Sequence, residues 1–329
     1  MKSRLTIHAG VNKTGSSAIQ HFLRNNVEQL SSEGVVVPNL SMEIQPPVEG
    51  HHVWYFHERR GAPREIAKHE TTQKIRDLMT HPGVKQVIVS AENLGSVDND
   101  YAFWFIDIAK EFEDVEVIMY LRRQDDLLLS SWQQWHVKTG EDLWSWIASC
   151  LGGLGNWRRV VERWEAVLGR HRVRLRLFER NRLKNGDVVD DFCQFILGDH
   201  SAFVNDRSVA VNPSYNEAIV DLVAGGGFFK DAHDNEFYKF LEHYLDDASH
   251  RRSRESLLTI DQRLAIIARY AASNSWVREH YFASSDTPET LFALPRASDY
   301  DVVTSEDLRK EQVQMLARVL FEMHKRGKK

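Results

Sequence analysis

The sequence predicts an α/β protein, a three-layer sandwich around a central parallel sheet with a helical C-terminal extension. Three observations predict it. Over roughly the first 200 residues, short runs rich in β-branched residues alternate with longer segments of helical spacing, the pattern of a parallel sheet covered on both faces. The first such run passes directly into a loop rich in glycine and hydroxyl side chains, and then into a helix. Beyond Gly198 the strand pattern stops and helical patterns remain.

In chain order, residues 5–8 form the first strand. Residues 16–30 follow as a helix, with Ile19, Phe22, Leu23, Val27 and Leu30 on one stripe. Residues 35–37, closed by Pro38, add an edge strand. Residues 41–64 contain Pro46, Pro47, Gly50 and Gly61 and read as a long loop, a length that belongs to functional or disordered segments. Strands at 84–90, 115–121 and 173–178 are separated by helices at 102–112, 127–137 and 157–168. Residues 219–222, 237–245, 256–270 and 306–324 then read as helices, with a break at Gly225 to Gly227 and a polar loop at 246–254. The expected division is 1–199 for the α/β core and its nucleotide site, and 200–329 for an extension packed on that core.

With 329 residues, a formal charge of −5 and 42% hydrophobic residues, the chain reads as an ordinary globular protein, cytoplasmic by default. The overall charge repels phosphate, which excludes a bulk nucleic-acid binder, so any anion site is local. Cys150 and Cys193 lie in apolar helical patterns and form neither a disulfide framework nor a zinc site. The start, MKSRLTIHAG, is too short and interrupted for a signal peptide. No stretch approaches the ~20 apolar residues of a membrane span.

The loop reads Gly10-Val11-Asn12-Lys13-Thr14-Gly15-Ser16-Ser17. A strand–loop–helix unit aims backbone N–H groups and the positive helix end at whatever occupies the loop. Gly15 allows close approach of an anion, and Thr14, Ser16 and Ser17 add hydroxyl donors. The plainer alternative makes Ser16 or Ser17 a helix cap. Gly10 and Gly15 keep the spacing of an ATP-binding P-loop, but Ser16 stands where that loop has its lysine. The lysine here is Lys13, before the glycine. The loop is P-loop-like, suited to one phosphate with an offset cation and poorly suited to a β,γ-phosphate–magnesium unit.

IHAGVNKTGSSAIQHFLRNN resembles the 5′-phosphosulfate loop of the sulfotransferases that use 3′-phosphoadenosine-5′-phosphosulfate (PAPS), in their bacterial branch. The resemblance implies that Lys13 contacts the 5′-phosphate and the departing bridging oxygen, and that Thr14, Gly15, Ser16 and Ser17 hold the phosphate, with Gly10 and Asn12 in the same loop. YLRRQDDLLLSSW resembles the family's 3′-phosphate motif, an arginine at a strand end and a serine eight positions later, here Arg122 and Ser130. Arg123 is the alternative contact, because Arg122-Arg123-Gln124 replaces the family's usual R-N-P. From the residues alone, Arg122 and Arg123 could instead pair with Asp125 and Asp126 on the surface. The likeness continues over about the first 200 residues, and residues 274–292 are similar to the C-terminal tail of the bacterial branch. The R-K-G segment of the cytosolic animal branch is absent.

Sulfuryl transfer needs a cation at the leaving oxygen, which Lys13 supplies, and no metal. The acceptor also has to lose a proton. Glu92, just past strand 84–90, is the first candidate base, standing where α/β sites form; capping of the next helix is its alternative role. His51 and His52, in the aromatic loop with Trp54, Tyr55, Phe56 and His57, are its rivals. Partners expected are a small-molecule or glycan acceptor, without nucleic acid or membrane span; a homodimer is an open expectation. That aromatic loop and Trp132, Trp135, Trp144 and Trp146 could stack on a sugar or flat aglycone, although tryptophans at helical spacing are mostly core. Two other classes stand beside this one: a P-loop kinase or NTPase, and a non-catalytic nucleotide-binding module.

Overall fold

The computed structural model describes residues 3–98, 100–198, 203, 215–246, 255–283 and 289–327. It forms two compact units. The first comprises Met1–Arg123, Gly153–Val211 and Ala272–Phe292; the second comprises Gln124–Gly152, Asn212–Ala271 and Ala293–Lys329. By contact grouping, residues 124–152 fall with the C-terminal helices, and the described residues of 272–292 fall in the unit that holds the sheet.

The first unit is built on five parallel strands: β1 (Arg4–Ala9), β2 (Val35–Val36), β3 (Gln86–Ala91), β4 (Val115–Leu121) and β5 (Val173–Leu177). Their order is β2-β3-β1-β4-β5. β1 is central and pairs Leu5 with both Val87 and Val115. Every residue of β3 and β4 is buried, as strands covered on two faces must be, which is why they read as short runs dominated by apolar and β-branched residues. On one face, helix α1 (Ser16–Asn25) and Val188–Ile196 bury Ile19, Phe22, Leu23 and Phe192 against Ile88, Ile118 and Tyr120. The other face is covered by Arg64–Thr80, Ile106–Glu111 and Trp157–Leu168. There Trp164 packs on Phe105 and donates to the Leu94 carbonyl at 3.2 Å. The α/β class and parallel sheet are as expected.

Details differ where local chemistry overrides periodicity. The helix expected over 16–30 breaks at Asn26, whose side-chain amide and backbone N–H both bond the Phe22 carbonyl and end the first turn set; Val27–Ser32 restarts it. The long loop at 41–64 contains the helix Val53–Glu58. Its six residues are too few to show a period between the flanking prolines and glycines.

The second unit contains Gln124–Ser131, Leu143–Cys150, Glu217–Ala224, Glu236–Tyr244, Ile260–Ala268 and Ser305–Arg326. The helix expected from 256 starts at Ile260, where Thr259 and Gln262 form a reciprocal cap. Ser256 is instead in a two-residue strand, Glu255–Ser256, paired in parallel with Asp301–Val302, a short pairing in a region expected to be wholly helical. Asp125 and Asp126 hold the fully buried Arg263, at 2.5 and 2.9 Å, and the Tyr300 ring lies 3.8 Å from its guanidinium carbon. Most of the polar loop expected at 246–254 lies outside the described residues, as do 284–288 of the tail segment. No described helix is long and apolar enough to cross a membrane.

Candidate active site

The strand order reverses about β1: β3 lies on one side of it and β4 on the other. The crevice at the carboxyl ends of such strands is where open α/β sheets bind ligands. The loop from Gly10 to Gly15 starts there. Its backbone turns twice through the left-handed region, at Lys13 (φ 66) and Gly15 (φ 83). Glycine suits the second position doubly: a Cβ there would lie 2.8 Å from Val188 Cγ1 and 2.9 Å from Phe178 Cε2.

Gly15 is the N-cap of α1, and no side chain caps the helix. The alternative role for Ser16 or Ser17 is therefore not the one adopted. Ser16 donates to the Val11 carbonyl at 3.2 Å, and fully buried Thr14 donates to the same oxygen at 2.6 Å. These two hydroxyls spend their hydrogens shaping the loop. Ser17 points elsewhere, donating to Glu92 Oε1 at 3.4 Å.

Arg122 ends β4 and reaches across to the loop, donating from Nη1 to the Lys13 carbonyl at 2.6 Å. Its guanidinium sits 5.6 Å from the Phe178 ring centre. The Trp157 indole N–H holds its backbone carbonyl at 3.1 Å. A non-glycine residue at positive φ is uncommon, and the Arg122 bond fixes its carbonyl. Arg122 and Arg123 are both half-buried; the bond to the loop is made by Arg122. Ser130 is buried on Gln124–Ser131 and belongs to the second unit.

Glu92 opens a short 3-10 turn, Glu92–Gly95, immediately after β3. Burial raises its pKa, while the Ser17 hydroxyl and the Lys13 charge pull it down. Two backbone bonds carry the pairing of this segment with the phosphate loop beyond the strands. Gly10 N–H donates to the Ala91 carbonyl and Gly95 N–H to the Gly10 carbonyl, each at 3.1 Å. The approach is so close that a Cβ on Gly95 would lie 2.4 Å from the Gly10 oxygen. Next to the glutamate, Asn93 donates to the Val53 carbonyl at 3.0 Å, tying the turn to the aromatic helix Val53–Glu58.

The two histidines are placed differently. His52 is fully buried: its Nδ1 accepts the Ser90 N–H at 3.0 Å and its Nε2 meets the Pro38 carbonyl at 3.0 Å. Burial lowers its pKa to about 4, so it is neutral with both nitrogens engaged. His51 is half-buried and its Nδ1 has no partner; burial lowers its pKa, with Glu49 opposing and Arg24 assisting. Tyr55 and Phe56 are core residues, whereas Trp54 is exposed with the His57 ring edge-on at 5.7 Å. Trp132 is buried, and Trp146 stacks on His136 while donating to the Leu128 carbonyl. These tryptophans are mainly packing residues.

Sequence reasoning missed His8, on β1 just before the loop. It is buried, bonded through Nδ1 to Ser90 Oγ at 2.8 Å, and held neutral by burial with its pKa lowered to about 4. It also missed Asn93 and Gly95, for which no motif gives a signal. Among the described residues, no group of three or more His, Cys, Asp or Glu side chains could hold a metal ion.

Comparison with protein-family models finds no match, and comparison with curated protein sequences finds none either. Among solved structures, the chain is similar to a sulfotransferase from Alicyclobacillus acidocaldarius, at 18% identity and a TM-score of 0.36, covering 65% of this chain and 87% of that one. It is also similar to retinol dehydratase in a complex with retinol and PAP, at 10% identity and a TM-score of 0.26, covering 97% of this chain and 82% of that one. At these TM-scores neither likeness carries weight for the chemistry of the site.

Proposed function

We propose that this protein transfers a sulfuryl group from PAPS to a hydroxyl or amine acceptor. The observation that carries the reading is the bond from Arg122 Nη1 to the Lys13 carbonyl, between residues 109 apart in sequence. It joins the two segments, phosphate loop and strand-end arginine, that a nucleotide with separate 5′ and 3′ phosphates requires. A 5′-nucleotide alone has no use for the second.

In this reading the backbone N–H groups at the start of α1, with Ser17, bind the 5′-phosphate. Thr14 and Ser16 hold the loop in shape, and Gly10 and Asn12 complete its turn. Arg122 binds the 3′-phosphate. Lys13 stands at the bridging oxygen. The acceptor oxygen forms a bond to sulfur as the bond from sulfur to that bridging oxygen breaks, and Lys13 stabilises the charge left on the departing 3′,5′-bisphosphoadenosine. The acceptor's proton passes to the Glu92 carboxylate. His52, committed at both nitrogens, serves as a pin between the 38–52 segment and β3. Exposed Trp54 offers a flat surface beside the base-carrying turn, suited to a sugar ring or aromatic acceptor.

Calorimetry tests the donor. The bisphosphate 3′,5′-bisphosphoadenosine should bind well and 5′-AMP much more weakly. Arg122→Ala removes one charged hydrogen bond, about 1.5–3 kcal/mol or roughly 10- to 150-fold in affinity. Because the same guanidinium holds the loop, 5′-AMP should weaken too, but less. Equal affinity of the wild type for the two nucleotides overturns the assignment.

A further inference from the structure

The helix Ser305–Arg326 is 22 residues long, about 33 Å at 1.5 Å per residue, and carries two apolar faces. One face buries Leu308, Met315 and Val319 where the helix packs on Glu217–Ala224 and Glu236–Tyr244. Gln312 anchors that side, donating to the Ala218 carbonyl at 3.1 Å and to Asp221 at 2.8 Å. A little over a quarter turn round the helix, Val313, Leu316, Leu320 and Met323 are 67%, 59%, 57% and 43% exposed. Scattered exposed apolar residues are commonplace. A continuous stripe of large ones, stepping by three, four and three residues, is the seam of a two-helix coiled coil.

We propose that this stripe pairs with the same helix of a second copy of this chain, the two helices running antiparallel. The inference is independent of the transfer chemistry. The three-four-three spacing reads the same from either end, so a two-fold axis sets Val313 against Met323 and Leu316 against Leu320. The end charges choose the direction. Glu306 and Asp307 lie in the first turn, and His324, Lys325 and Arg326 in the last. Antiparallel pairing brings each acidic end to a basic end and opposes the helix dipoles, whereas parallel pairing sets like against like. Ala317, within the exposed face, leaves room for close approach. The helix is already fixed by its buried face, so pairing orders little new chain. One helix seam is smaller than the roughly 800 Å² per partner of a standard interface, so the dimer should dissociate on dilution.

Sedimentation velocity on the full chain over a dilution series tests this. The wild type should pass from dimer to monomer, and Leu316→Glu/Leu320→Glu should be monomeric throughout with an unchanged circular-dichroism spectrum. Orientation is read by mixing Val313→Cys chains with Met323→Cys chains under mild oxidation. Antiparallel pairing gives the mixed disulfide, and self-linked Val313→Cys overturns it. A wild type monomeric at every concentration, or a dimer indifferent to the two glutamates, overturns the seam. So does a monomeric wild type that floats with anionic phospholipid vesicles, which would assign the stripe to a membrane surface.

Discussion

Glu92→Gln separates the base from the rest of the site because the geometry lets the amide keep most of what the carboxylate does. The Ser17 hydroxyl donates to Glu92 Oε1 at 3.4 Å, and a glutamine carbonyl oxygen can accept the same bond. What the amide cannot do at neutral pH is take a proton. Loss of general-base assistance costs about 10²–10⁴ in rate, or roughly 2.7–5.4 kcal/mol of barrier, with affinity for 3′,5′-bisphosphoadenosine unchanged. The pH dependence follows from burial, which raises the Glu92 pKa against the pull of Ser17 and Lys13. Turnover should therefore fall on the acid side above the ordinary carboxylate range, and this limb should vanish in the variant. Stability should move the other way. A carboxyl whose folded pKa is raised binds its proton more tightly in the folded state, so its contribution is full below the unfolded pKa and is lost as pH rises through the folded one. At neutral pH the uncharged glutamine escapes that loss, and the variant should melt no lower than the wild type. Radiolabelled PAPS with an active acceptor gives turnover, and calorimetry gives donor affinity. A variant with near-wild-type turnover, or one that keeps its acid limb, refutes the assignment of Glu92.

Lys13→Ala should lower turnover by ~10²–10³, as loss of a charge-stabilising donor does, while bisphosphonucleotide affinity measured by calorimetry falls only in part; near-normal turnover would assign the leaving oxygen to another cation. His52→Ala leaves the Ser90 N–H and the Pro38 carbonyl without their buried partner, and should cost about 1–3 kcal/mol in urea unfolding for each group stranded, with turnover per folded molecule retained. A well-folded but dead variant would instead make His52 the base. His8 and His52 are both held neutral, with pKa values lowered from 6.5 to about 4. The unfolded chain takes up those protons first, so stability to urea should fall as pH drops from 6.5 towards 4, and His52→Ala should flatten part of that slope.

The sheet was legible because β3 and β4, buried on both faces, leave no polar residue to interrupt their apolar runs beyond Gln86, Ser90, Glu116 and Tyr120. The phosphate loop was legible because a strand, a left-handed glycine and a helix must follow one another in sequence. Contacts across the chain left no such trace. Nothing local tells that Arg122 bonds the carbonyl of residue 13, or that Asp125 meets Arg263 138 residues later. Asn26 reads as one more polar helix residue until its side chain is seen on the Phe22 carbonyl. His52 reads as a loop histidine until β3 arrives beside it. In Ser305–Arg326 the apolar residues run round both sides, so the sequence could not say which side packs inward.

The backbone zipper formed by Gly10, Ala91 and Gly95 bears on how such a site can change over time. The loop from Gly10 to Gly15 and the turn Glu92–Gly95 are bonded at Gly10 N–H and Gly95 N–H, so neither can drift without dragging the other. In the proposed reading, donor loop and base then move together as one rigid jaw. Adaptation to a new acceptor then has to work on the opposing surface, of which the helix Val53–Glu58 is the nearest described part, touching the jaw through Asn93. Substitution at Trp54 or His57 can reshape that surface freely, whereas even a methyl group at Gly95 would force the jaw apart.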